Sequence, residues 1–233
     1  MARLRTHRRA LAAGLAGVVI AIALVIGLAQ SDTGATTPEH VPTLAEARAD
    51  VAGAPPAIAR LYAGDVPGAT ADGAASGGVP VLDLGRDVDR GRDRFRALLR
   101  GLRGRPVLIN VWFPQCAPCV REFPVLRAAA SRYGKDVAFL GLISEGSRAS
   151  VDAFLRKQPT VYPHVIDRGK RIERGDLQAG LSFPNTVLID RDGRIVDVRP
   201  AEYGSVADVE RDLARLGVTS RTTGTAPTGG SAR

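Results

Sequence analysis

The chain has 233 residues, two cysteines and three histidines, and a formal net charge of +8. Four of those charges are Arg3, Arg5, Arg8 and Arg9, and the rest of the chain holds 28 basic against 24 acidic residues, so no nucleic-acid partner is implied. Structural zinc usually takes four Cys or His ligands, and His7, His40 and His164 show no ligand spacing beside the cysteine pair.

Residues 1–9 form a basic segment without acids, followed by Ala10 to Ala29, an uncharged run of 20 residues rich in Leu, Ile, Val and Ala. At about 1.5 Å per residue such a run spans a hydrocarbon core of roughly 30 Å. The arginines before it predict a cytoplasmic N-terminus, with everything after the span outside. Two readings of residues 10–29 stand, a transmembrane signal anchor and a cleavable signal peptide ending near Gly27-Leu28-Ala29. The apolar stretch exceeds a usual signal core, which favours the anchor, and Arg8-Arg9 fits a twin-arginine signal poorly. Either reading puts the remainder in a compartment where disulfide chemistry operates.

Residues 30–78, rich in Ala, Gly, Pro, Thr and Asp with little apolar periodicity, predict a low-complexity linker. One short helix is expected there, Leu44 to Ala49 with Thr43 as its cap. The folded domain is expected over 79–218, and 219–233, full of Thr, Gly, Ser and Ala, reads as a disordered tail. Val79 to Leu84 predicts an edge strand. Between Arg86 and Arg105 there are eight Arg against three Asp, while Phe95, Leu98, Leu99 and Leu102 recur at helical spacing. The simplest reading is an amphipathic helix whose charges are its wet face; the alternative is a contact with anionic headgroups or an acidic partner.

Val107 to Phe113 has the length and composition of a buried strand, and both cysteines follow at once as Cys116-Ala-Pro-Cys119. Val120, Phe123 and Leu126 continue as the apolar face of a helix, so the pair sits where a strand hands over to a helix, with Pro124 expected to bend that helix. A thiol there meets unpaired backbone N–H groups and the positive end of the helix dipole, which favour the thiolate nucleophile. Cys116 is the expected attacker, and Cys119 the thiol that resolves the mixed disulfide. A purely structural disulfide is the weaker reading, since closing so short a loop removes about 2 kcal/mol of unfolded-state entropy against about 4.7 kcal/mol for a hundred-residue loop.

The run Asn110-Val-Trp-Phe-Pro-Gln-Cys-Ala-Pro-Cys-Val-Arg-Glu-Phe-Pro resembles the active-site segment of the TlpA/ResA-like thiol-disulfide oxidoreductases, a membrane-anchored or secreted branch of the thioredoxin superfamily. Asn110, Trp112, Cys116, Pro118, Cys119, Glu122 and Pro124 match that family's pattern, while Gln115 stands where it usually has a second Trp. The resemblance implies a thioredoxin-like fold over about Val79 to Gly217 and places Trp112, Gln115 and Pro118 on the substrate-facing surface.

Downstream, Val137 to Ile143 predicts a strand, Ala149 to Lys157 a helix and Thr160 to Asp167 a short strand. Thr186 to Asp190 and Arg194 to Arg199 predict a hairpin turned by Arg191-Asp192-Gly193, and Val206, Val209, Leu213 and Leu216 a closing helix. A βαβ pattern followed by a hairpin and helix predicts an α/β fold with a mixed central sheet and helices on both faces.

Glu122 follows Cys119 by three residues and so shares its helix face. Position leaves two readings, a partly buried carboxylate that relays a proton to Cys119 and a surface Glu favoured by the helix dipole. The resemblance assigns the first, with Asn110 replacing the buried Asp of ordinary thioredoxins. Pro184 reads from sequence as an X-Pro turn; the resemblance implies a cis-proline packed on the cysteine pair, with the backbone of Phe183 pairing to an extended substrate. The loop from Gly180 to Pro184 resembles the family's, with Ser182 where a glycine is expected.

The expected function is an extracytoplasmic, membrane-tethered protein thiol-disulfide oxidoreductase with no metal and no cofactor beyond the Cys116–Cys119 pair. Its expected partners are protein disulfide or dithiol clients and a membrane electron donor or acceptor. The resemblance leans towards a reductase, often in cytochrome c maturation, with a disulfide-forming oxidase of the same fold as alternative. A thiol peroxidase lacks its usual Pro-x-x-x-Thr-x-x-Cys run here, and a copper carrier would use both thiols plus His164.

Overall fold

The hydrophobic pattern of Val107 to Trp112 alternates between two cores, and the fold grows outward from that strand. The computed structural model describes residues 40–180 and 182–219. In chain order its elements are α1 (Leu44–Asp50), α2 (Pro56–Tyr62), β1 (Thr70–Asp72), β2 (Val81–Asp83), α3 (Val88–Gly101), β3 (Val107–Trp112), α4 (Ala117–Tyr133), β4 (Ala138–Ile143), α5 (Arg148–Lys157), β5 (His164–Ile166), β6 (Asn185–Ile189), β7 (Ile195–Arg199) and α6 (Val206–Arg215). A 3₁₀ turn (Arg168–Lys170) and a π-helical turn (Ile172–Asp176) lie between β5 and β6.

The strands form one seven-stranded sheet in the order β1-β2-β5-β4-β3-β6-β7. The run from β2 through β5 and β4 to β3 is parallel, and β1, β6 and β7 join antiparallel. Every residue of β3 and β4 is buried, as strands covered on both faces require. On one face Val107, Ile109 and Val111 pack with Ile58, Phe95 and Leu98 from α2 and α3. On the other, Leu108 packs with Leu126, Ala129 and Tyr133 of α4 and with Val209 and Leu213 of α6. A third cluster, Trp112, Phe123, Ile143, Val151 and Leu155, lies around the cysteines. This is the mixed-sheet, thioredoxin-like α/β architecture that the sequence predicts.

Two expectations are corrected. The linker expected over 30–78 holds α1, α2 and β1 from residue 44 onward, and Ala47, Ile58 and Leu61 are buried in the cores described above. Each of these short helices buries only one or two side chains, too few to register as periodicity. Thr43 does cap the first, its Oγ1 accepting from the Glu46 N–H while Glu46 accepts from the Thr43 N–H. The strand expected at the sheet edge, β2, is covered by β1.

The hairpin forms as expected, with Gly193 at φ +84° and Asp190 Oδ1 accepting from the N–H groups of Asp192 and Arg194. Among the described residues no helix is long and apolar enough to cross a membrane. The basic segment 1–9 and the anchor expected over 10–29 lie outside the described residues, as does 220–233 of the expected tail.

Candidate active site

The end of β3 delivers the chain to the first turn of α4, where Cys116 is the N-cap. Its Sγ accepts the Cys119 N–H at 3.2 Å, and its carbonyl accepts from Val120 at 3.0 Å. Pro118 occupies the first turn, where a missing N–H leaves no intrahelical bond unmade. Cys116 and Cys119 are joined in a disulfide, with Cα atoms 5.2 Å apart. Cys116 retains 5% exposure and Cys119 none, so an outside sulfur reaches Cys116 first. The N–H directed at its sulfur and the helix terminus behind it both stabilise negative charge on Cys116 once the bond opens.

Behind the pair lies an aromatic wall. Trp112 packs against Phe123 and Phe154 at centroid distances of 4.7 and 4.8 Å. Trp112 is fully buried, so the expectation that it faces substrate is corrected: an indole at the last position of a strand covered on both faces supports the disulfide from beneath. Its Nε1–H donates to His164 Nδ1 at 3.0 Å, and the other ring nitrogen faces Thr160 Oγ1 at 2.9 Å. The acceptor role of Nδ1 puts the imidazole proton on Nε2. Thr160 in turn donates to the Tyr162 carbonyl at 2.7 Å, which completes a chain of neutral donors and acceptors. Burial pushes the His164 pKa down to about 3. With both nitrogens engaged, His164 is not free to join the thiols as the copper ligand considered from sequence. Among the described residues no group of three His, Cys, Asp or Glu side chains is placed to hold a metal ion.

Glu122 is fully buried one turn beyond Cys119. One carboxyl oxygen accepts from Asn110 Nδ2 at 2.6 Å and the other from the Tyr203 N–H at 3.2 Å. Burial pushes its pKa up to about 7, against the lowering effect of those two hydrogen bonds. A surface glutamate is thereby ruled out.

The remaining expected residues surround the sulfurs unequally. Gln115 is exposed, Pro118 and Phe183 are half-buried and Pro184 is buried. The Phe183–Pro184 peptide bond is cis. Phe113, just before the cysteine turn, meets Phe183 edge to face at 5.1 Å. The Lys170 ammonium lies 5.8 Å from the Phe183 ring centre and pairs with Glu145. Four residues around the site escape sequence reading: Asn110 as the partner of Glu122, Tyr203, Phe113 and Lys170. The motif contains Asn110 but says nothing of its partner. Tyr203 comes from a loop 81 residues away with no local signal.

The family model described as Redoxin matches residues 96–213, half of the chain. "Thiol-disulfide oxidoreductase ResA" of Bacillus cereus is 31% identical over 100 residues, covering 42% of this chain and 57% of that protein. "Thioredoxin-like protein YneN" of Bacillus subtilis is 28% identical over 106 residues, covering 44% and 61%. The chain thus spans about three fifths of the length of these relatives. Among solved structures, a secreted Mycobacterium tuberculosis disulfide oxidoreductase homologous to DsbE of E. coli is 23% identical, with a TM-score of 0.44 over 50% of this chain and 86% of that one.

Proposed function

The chain belongs to the Redoxin family, and from that premise we propose that it is a protein thiol-disulfide oxidoreductase acting through Cys116 and Cys119. The reading rests on one observation above the others: the more accessible sulfur of the pair caps a helix and receives a backbone N–H. In the reducing direction the Cys116 thiolate attacks a client disulfide, forming the mixed disulfide and expelling one client thiolate. Cys119 then loses its proton and attacks Cys116 Sγ, which closes the intramolecular disulfide and releases the second client sulfur. Glu122, buried one turn along the same helix, takes the Cys119 proton in that step and returns it when the pair is reduced again.

Phe183 and the half-buried Pro118 form the client-facing surface with the exposed Gln115, and the Phe183 backbone pairs with an extended client strand. The arginines of 1–9 and the apolar run 10–29 support a tether that holds the domain on the extracytoplasmic face, where a membrane partner supplies or accepts electrons. The resemblance to ResA-like proteins supports a reductase, with cytochrome c maturation as its setting. An oxidase would use the same atoms in reverse.

The reduction potential of the Cys116/Cys119 couple in glutathione buffers, measured with the Cys116 pKa, separates these directions. A reductase predicts a value near the thioredoxin range of about −270 mV. A value near about −120 mV, where strong oxidants lie, would reverse the assignment.

A further inference from the structure

Asn110 and Glu122 face each other between β3 and α4, both essentially without exposure, and Asn110 Nδ2 donates to Glu122 Oε1 at 2.6 Å. The other end of the same carboxamide is idle: Asn110 Oδ1 is buried and has no hydrogen-bond partner among the described residues. An unpaired carbonyl oxygen in a protein interior is costly, and Asn110 occupies the middle of the central strand.

The carboxyl group opposite differs in what it asks of the amide in its two charge states. As a carboxylate, Glu122 is an acceptor only, and two donors meet it, Asn110 Nδ2–H and the Tyr203 N–H. As a carboxylic acid it carries an O–H that needs an acceptor, and the Tyr203 amide can only donate. No other group that acts on Glu122 makes a hydrogen bond to it among the described residues. Glu202, in the same loop as Tyr203, is engaged by Arg121. Arg199 at the end of β7 is a cation facing Asp212 and the Tyr203 ring. The Tyr203 phenol donates to Asp212, and the buried Tyr162 phenol, although its oxygen can accept, makes no hydrogen bond to Glu122. Asn110 Oδ1 is the acceptor at hand, reached by a half-turn of the carboxamide.

We propose that Asn110 is a positioning residue that inverts its carboxamide with the charge of Glu122, donating through Nδ2 to the carboxylate and accepting through Oδ1 from the carboxyl O–H. The inference rests on the relay role proposed above. When the Cys119 thiol gives its proton to the Glu122 carboxylate, thiolate and carboxylic acid form together, and the amide turns to hold the new O–H. Neither charge state then leaves a buried carboxyl oxygen without a partner, so the carboxyl cycles without moving out of the core. An aspartate at position 110 would instead place a second ionisable carboxyl against the first.

The sequence makes the test simple, because Asn110 and Asn185 are the only asparagines of the chain. The full-length oxidised protein, labelled with ¹⁵N in asparagine alone, gives two side-chain NH₂ pairs, which are followed from pH 5 to 9. The inversion predicts one pair with a strongly downfield proton at high pH. That proton moves to a free-amide position as Glu122 is protonated, with a midpoint near pH 7, and the response is absent in Glu122→Gln. An Asn110 pair that keeps its downfield proton throughout, or ignores pH, overturns the inversion. The relay itself fails by a separate sign, wild-type exchange rates in Glu122→Gln across the same pH range, which the amide spectrum does not register.

Discussion

Burial acts on two side chains near the disulfide in opposite senses, and the consequences are measurable. Glu122 is held at a pKa of about 7 and His164 at about 3, so each stays neutral over part of the range where its unfolded form is charged. For Glu122 the folded chain binds the extra proton between pH 4.5 and 7, and its contribution to stability falls by about 3 kcal/mol as pH rises through that window. For His164 the unfolded chain binds the extra proton between pH 3 and 6.5, so its contribution grows with pH over that range. Between pH 4.5 and 6.5 the two slopes oppose each other. Replacing Glu122 by Gln removes only the falling one. The stability of Glu122→Gln relative to wild type, from urea denaturation, is therefore expected to rise by about 3 kcal/mol between pH 4.5 and 7. Parallel curves would contradict the burial of this carboxyl.

At the scale of elements, the cysteine turn was readable and its surroundings less so. Strand β3 and helix α4 announce themselves through a continuous apolar run followed by helical spacing, and the amphipathic α3 through Phe95 and Leu98. The segment carrying α1, α2 and β1 resembled a tether because composition and short length hid its contacts. Yet Ile58 and Leu61 of α2 join the same core as Phe95 of α3 and Val107, Ile109 and Val111 of β3. Ile58 is fully buried, so Ile58→Ala should cost about 2–4 kcal/mol, read as a lower urea midpoint at unchanged slope. A cost below about 0.5 kcal/mol would return this segment to the status of a linker.

At the scale of the whole sheet, topology supplies what local sequence cannot. The parallel pairing of β3, β4 and β5 brings His164 to Trp112 across 52 residues, and Gly141 on the intervening strand makes room for it, since a Cβ there would collide with the imidazole. The loop between β7 and α6 brings the Tyr203 amide to Glu122 across 81 residues. No periodicity or motif encodes such meetings; they follow from strand order and register. The cysteine pair at a strand-to-helix junction was legible because its placement depends on one apolar run and the helical spacing after it. Position alone left Glu122 between a buried and a surface residue, and only the resemblance chose the buried one. The full burial of Trp112, expected among the substrate-binding residues, was not legible, because motif membership does not say which face of the strand a residue takes.

The central claim is that Cys116 is the sulfur that meets other proteins while Cys119 waits behind it. With two cysteines in the chain, each single variant leaves one thiol, so any covalent adduct reports on a known sulfur. Full-length Cys119→Ser and Cys116→Ser proteins, incubated with disulfide-bonded client proteins and resolved without reductant, provide the measurement. Cys119→Ser is expected to accumulate mixed disulfides that a reductant releases, and Cys116→Ser, whose remaining sulfur is buried, to give few or none. An absence of adducts from Cys119→Ser, or equal trapping by both variants, would contradict the account.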